Sequence, residues 1–229
     1  FKTPLPPLAT QQKIAQILDD AAALREKSAQ LLTEYDALAQ SIFLDMFGDF
    51  KFSQRYRLIK INNLIQKVSK IRKDFDKNII KYVDISSVDN VENIIINSTQ
   101  YDLFERPSRA QQILYKGDIL YSTVRPNLKN IAIVSEDNLV GSTGFVVLRT
   151  KNNLNNLYLF VLLKSDNFTK YVMSLVSGAN YPAIKQSSLL NIEIPVPPIE
   201  LQNEFAEKIT LIEQQKELAK QELQESEDL

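Results

Sequence analysis

Histidine and cysteine are both absent from the 229 residues. Without cysteine there is no disulfide framework, no thiolate nucleophile and no sulfur-ligated metal, and the lack fits a reducing compartment. Without histidine the usual general base and the commonest transition-metal ligand are gone, which excludes His-dependent hydrolysis and His-ligated zinc chemistry. Only five glycines occur, and none falls in a phosphate-cradling loop, a GxGxxG pattern or a Walker pattern. No apolar run approaches the roughly 20 residues that span a bilayer, and the N-terminus lacks the basic and apolar regions of a signal peptide. A soluble, cytoplasmic, non-catalytic protein with no membrane contact is expected. The chain opens on Phe1 rather than Met, as a fragment or a processed product would.

What is present suffices for a core. With 44% hydrophobic and 24% charged residues, one globular domain plus extensions is expected. The net charge of −1 hides an asymmetry: residues 1–50 carry −3, residues 51–194 carry +8 and residues 195–229 carry −6. A basic centre between acidic flanks suits a nucleic-acid-binding domain carried on protein-binding helices, with a merely mixed surface as the alternative.

The flanks are helical in pattern. Ile14, Ile17, Ala21, Leu24, Leu31, Tyr35, Leu38 and Ile42 follow an alternation of three and four, with Ser28 filling the gap; this is a heptad seam. Thr10 is placed to cap its start and Gly48 to end it. About 38 helical residues make a rod near 57 Å, an arm that needs a partner helix. A second segment offers Leu201, Phe205, Ile209, Ile212, Ala219 and Leu223 at the same spacing, interrupted by Lys216. Both are introduced by nearly the same phrase, PLPPLATQQ at 4–12 and PVPPIELQN at 195–203. Its prolines end a preceding strand and are tolerated where a helix begins. The phrase therefore reads as one joint used twice, and the two arms pair within one chain or exchange between two.

Between the arms, short apolar stretches alternate with turn signals: YRLIKI (56–61), KYVDIS (81–86), NIIIN (93–97), DILYSTV (118–124), NIAIV (130–134), GFVVLR (144–149) and NIEIPV (191–196). Lys116-Gly117-Asp118 reads as a tight turn, Arg125-Pro126-Asn127 as a loop, and 157–176 as one helix. The class is α+β, a mostly β middle flanked by two long helices forming an antiparallel or intermolecular coiled-coil arm. Asn180-Tyr181-Pro182-Ala183 is out of order for the catalytic tetrad of amino-methyltransferases.

PLPPL with its following Gln, LAQSIFLDMFGDF (38–50), GDILYSTVRPNLKNIAIV (117–134), STGFVVLR (142–149) and SGANYPAIKQSSLLNIEIPVPPIELQ (177–202) together resemble the specificity subunit of type I restriction-modification enzymes. The resemblance covers essentially the whole chain and matches the later part of such a subunit. It implies a conserved helix (1–48), one target recognition domain (49–194) and a second conserved helix (195–229). It implies further that the domain reads one half of a split duplex DNA target, and that the helices space domains and dock methyltransferase subunits. Restriction subunits would join through the complex. S-adenosylmethionine, Mg and ATP would be used by partners and no cofactor or metal held by this chain. Two other readings stay open: a recognition module of a fused single-chain restriction-methylation enzyme, and a coiled-coil adaptor that does not bind DNA.

For the reading residues, Arg125 and Lys129 flank a loop leaving a strand, suited to a guanine edge and a phosphate. Ser177, Asn180, Tyr181 and Lys185 come from a glycine-permitted turn, where Asn addresses adenine and Tyr a phosphate or base face. Lys70, Arg72 and Lys73 are expected at phosphates. For each set the alternative is a solvated surface or, for Tyr181, a core aromatic.

Overall fold

The computed structural model describes residues 5–49, 55–71, 78–176 and 182–227. Helix α1 (Leu8–Phe47) is followed by β1 (Leu58–Lys60), α2 (Ile61–Leu64) and β2 (Ile65–Gln66). Next come β3 (Ile79–Val83), β4 (Val88–Asp89), β5 (Ile94–Ile95), β6 (Thr99–Asp102), β7 (Ala110–Leu114), β8 (Ile119–Ser122), β9 (Ile131–Ile133), β10 (Leu139–Ser142) and β11 (Phe145–Thr150). The chain closes with α3 (Asn156–Lys164), α4 (Asp166–Leu175), α5 (Gln186–Leu190), β12 (Glu193–Pro195) and α6 (Ile199–Glu227). Two compact units result, one of residues 43–206 and one of residues 1–42 with 207–229. This is the α+β class expected, with a long helix on either side of a β-rich region.

The β-rich unit holds two four-stranded sheets. One has the order β6-β3-β10-β7, with β3 and β10 parallel and the outer pairs antiparallel; the other, β2-β11-β8-β9, is antiparallel throughout. Successive side chains of a strand face opposite ways, and the first sheet uses both faces. Val83, Leu114 and Leu139 join Leu120, Ala132, Phe145 and Val147 in one core, while Tyr82, Ala110 and Val140 join Leu103 in another. All seven stretches read as strands contain one. The strands that the pattern missed include β6 (TQYD) and β7 (AQQIL), whose polar residues mask a backbone pairing set by neighbouring strands.

The single helix expected over 157–176 is two. Ser165 has extended backbone between α3 and α4, and its hydroxyl accepts the Phe168 N–H, so it ends one helix and caps the next. Gly117, at φ 90°, completes the Tyr115–Asp118 turn as expected. The Asp118 carboxylate does more than turn the chain: it is 1% exposed and takes a bidentate pair from Arg149 at 2.8 and 2.7 Å. Arg149 also lies over the Tyr115 ring and donates to the Ile113 carbonyl. The hydrogen bond from Arg149 to Asp118 is the largest reason its guanidinium holds its proton even more tightly than usual.

At the helix ends within this unit, Phe43, Phe47, Tyr158 and Phe205 form a buried aromatic cluster with ring centres 4.8 to 6.4 Å apart. The Tyr158 hydroxyl donates to the Pro195 carbonyl, and burial pushes its ionisation far up. Gly48, at φ 77°, donates its N–H to the Leu44 carbonyl and ends α1 where glycine was expected to. The N-terminal cap is not Thr10. The Pro7 carbonyl accepts from the Thr10 and Gln11 N–H groups, which places Thr10 inside the helix.

In the helical unit the buried line shares Ser28, Tyr35 and Ile42 with the expected seam and departs from it between them. Ser28 and Ala39 are buried and Leu32, Tyr35 and Ile42 half-buried, whereas Ile14, Ile17, Leu24, Leu31 and Leu38 are exposed. Leu31 with Leu38, and Leu32 with Ala39, each complete an alternation of three and four with Ser28, Tyr35 and Ile42, and the less exposed set is the one with Ala39. On α6 Ile209, Ile212 and Ala219 are buried, and Phe205 is buried within the β-rich unit. Lys216 does not interrupt the seam. It is 6% exposed and donates to Asp36 at 2.8 Å and to Glu213 at 3.5 Å. A buried lysine answered by exposed carboxylates fixes helix register at some cost in stability.

Candidate nucleic-acid interface

The loop after β8 is built around two residues in left-handed conformation. Arg125 (φ 48°) and Lys129 (φ 51°) bracket a 3-10 turn, Pro126–Leu128, closed by bonds from the Leu128 N–H to the Arg125 carbonyl and from the Lys129 N–H to the Pro126 carbonyl. Each such residue costs about 1–2 kcal/mol in an L-amino acid, so the loop persists because its surroundings hold it. Pro126 is buried, Asn90 Nδ2 donates to the Leu128 carbonyl, and the buried Asn93 donates to the Lys129 carbonyl at 2.8 Å. Lys129 Nζ donates to Asp166 at 2.6 Å. That hydrogen bond, and then the lysine charge, hold the exposed Asp166 carboxyl below its ordinary range. Lys129 thus ties the loop to α4, while Arg125 is exposed on a backbone already fixed.

Two of the predicted segments are zipped together here. Val124 bridges Ala183, the Arg125 N–H donates to the Pro182 carbonyl at 2.8 Å, and the Ile184 N–H donates to the Thr123 carbonyl at 3.0 Å. The exposed Lys185 follows directly, at the start of α5. Lys70 is also exposed, on a segment that extends the first sheet: it bridges Gln112, with the Ile71 N–H donating to the Gln111 carbonyl and the Ile113 N–H to the Ser69 carbonyl. Arg72, Lys73, Ser177, Asn180 and Tyr181 lie outside the described residues.

Sequence reasoning missed the groove between these pieces. Gln66, Lys67, Gln112 and Gln186 line it together with Lys70. Scattered glutamines carry no periodic or charge signal, and only strand pairing gathers them. Among the described residues no acidic cluster could hold a metal ion, and no helix is long and apolar enough to cross a membrane.

A family model, Type I restriction modification DNA specificity domain, matches residues 58–227. The chain belongs to this family. Relatives of the specificity chain include the type I restriction enzyme MjaVIII specificity subunit of Methanocaldococcus jannaschii, 26% identical over 254 residues that cover 99% of this chain and 59% of that one. The HindI specificity subunit of Haemophilus influenzae is 28% identical over 159 residues, 63% of this chain and 35% of that one. Among solved structures, the HsdS subunit from Thermoanaerobacter tengcongensis superposes with TM-score 0.61 at 30% identity over 72% of this chain and 44% of its own. A chain solved in work on the complex assembly and conformational transition of the type I R-M system gives 0.65 at 29% identity, over 76% and 46%. The specificity chain therefore spans between about a third and three fifths of the length of these relatives.

Proposed function

We propose that the chain reads one half of a bipartite duplex DNA target through residues 49–194 and docks methyltransferase subunits through its helices, residues 1–48 and 195–229. The observation that carries this reading is the match of residues 58–227 to a DNA specificity domain. The net charge of +8 on residues 51–194 and the prebuilt Arg125 loop beside Pro182 and Lys185 support it. Arg125 addresses a base edge; Lys70 and Lys185, with Arg72 and Lys73, address phosphates. Lys129 positions the loop and meets phosphate only by exchanging Asp166 for it.

Catalysis belongs to the partners. S-adenosylmethionine, Mg and ATP are used by the methyltransferase and restriction subunits, and this chain presents DNA to them. The exposed side chains Ile14, Ile17, Leu24, Leu31 and Leu38 of α1 suit a modification subunit or a second copy of the chain, which would complete a two-part reader.

The test is reconstitution with the modification subunits of the source cell, followed by mapping of methylated positions on genomic DNA. A sequence-restricted methylation pattern that disappears when this chain is left out is the expected result. Methylation that is indifferent to the chain would reject the function.

A further inference from the structure

A groove of about 630 Å³ opens on the β-rich unit, and its polar lining includes Asn62, Gln66, Gln112, Gln186, Lys67 and Lys70. Among the described residues no aspartate, glutamate or arginine lines it. The amides are not equivalent. Gln112 Nε2 donates to the Ser142 and Phe145 carbonyls at 2.7 and 3.0 Å, so both its N–H bonds are committed to the fold. Gln66 Nε2 donates to the Thr150 carbonyl at 2.9 Å. Gln186 is exposed, and its amide makes no hydrogen bond among the described residues. It stands three residues beyond Ala183, the residue paired with the strand that leads into the Arg125 loop.

A side-chain amide offers one donor and one acceptor side by side, which matches N7 and N6 of adenine in the major groove. Cytosine is usually read by a carboxylate acceptor and guanine by a cationic donor; the described lining has no carboxylate, and its lysines are suited as point charges to phosphate. We propose that Gln186 is a specificity-determining residue whose amide reads the edge of an adenine in duplex DNA, with Lys67 and Lys70 on the adjoining phosphates. The assignment rests on the DNA-reading function proposed above and adds to it a residue and a base.

The experiment assembles wild-type, Gln186→Ala, Gln186→Glu and Lys67→Ala chains with their modification subunits and maps methylation on a library of duplexes randomised across the target. Gln186→Ala should relax, on the order of tenfold, one position at which the wild type selects adenine. Gln186→Glu, an acceptor only, should move that same position toward cytosine. Lys67→Ala should lower methylation of all sequences alike. Because Gln186 is exposed, retained binding of random duplex by both variants serves as the check on folding. An unchanged profile in both variants, or relaxation at a position where the wild type selects guanine or cytosine, would overturn the assignment. A wild-type complex with no sequence preference would overturn the DNA-reading function beneath it, and the assignment with it.

Discussion

Gln11 and Gln202 make the same hydrogen bond: each Nε2 donates to the carbonyl of a proline five residues earlier, Pro6 at 2.7 Å and Pro197 at 2.8 Å. The Pro7 and Pro198 carbonyls each accept the N–H groups three and four residues on, at 2.9 to 3.2 Å. One local device therefore starts both long helices, which answers why the phrase occurs twice. The surroundings differ. Gln202 is fully buried, and in addition accepts the Asn155 N–H at 2.8 Å and donates to the Asn153 carbonyl at 3.3 Å; Gln11 is exposed.

Substituting the two glutamines should separate capping from docking. Gln11→Ala removes one exposed bond and should cost about 0.5 kcal/mol or less. Gln202→Ala strands the half-buried Asn155 N–H and the buried Pro197 carbonyl, and should cost on the order of 3 kcal/mol. Denaturant unfolding of each variant gives both numbers; equal losses would contradict the difference in packing.

The Asp118–Arg149 pair makes a second case. Removing one partner leaves a largely buried charge unanswered, so Asp118→Ala or Arg149→Ala should cost about 3–5 kcal/mol. A double replacement by apolar residues of similar size should recover much of that loss, because desolvation of both charges is then avoided. Comparing the single and double variants by thermal unfolding checks it.

The sequence made the joints, the arms and seven strands legible because each leaves a periodic or a punctuating mark. It was silent where tertiary pairing decides. The lysine that broke the heptad pattern, Lys216, is buried because Asp36 reaches it across the helix pair, and Asp36 by itself looks like any exposed helical acid. Leu31 and Leu38 fit a seam as well as Leu32 and Ala39 do, and only the partner helix chooses between the phases. At the interface, the Arg125 loop was found from its Pro-Asn and flanking charges. Its closure onto Pro182–Ile184 and the engagement of Lys129 by Asp166 depend on contacts distant in sequence.

Exposure of Leu31 and Leu38 makes the arm testable without unfolding it. Changing both to Asp should leave the melting temperature nearly unaltered, since surface substitutions generally shift stability by about 0.5 kcal/mol or less. Methylation by the reconstituted complex should nonetheless fall sharply if a modification subunit covers that face. Full methylation by the double variant would remove the face from the docking surface.

The Lys129–Asp166 contact carries a pH signature. Asp166 titrates below the ordinary carboxylate range when folded, so its contribution is present above the unfolded value and is lost as pH falls through the folded one. The side chain is exposed, so the effect on stability is small. An NMR titration should find the Asp166 carboxyl depressed in the wild type and returned toward its ordinary value in Lys129→Met. An unshifted carboxyl in the wild type would contradict the contact.

The central claim, that the β-rich unit reads DNA through a prebuilt loop, is met most directly by comparing Arg125→Ala with Lys70→Ala in the assembled complex. Affinity is measured on cognate and random duplexes across a salt series. Arg125→Ala should cost on the order of 1–3 kcal/mol on the cognate site and little on random DNA. Lys70→Ala should weaken both duplexes alike and lower the salt slope by about 1, because one phosphate contact no longer releases its counterion. Small and equal effects of both substitutions on both duplexes would contradict the account.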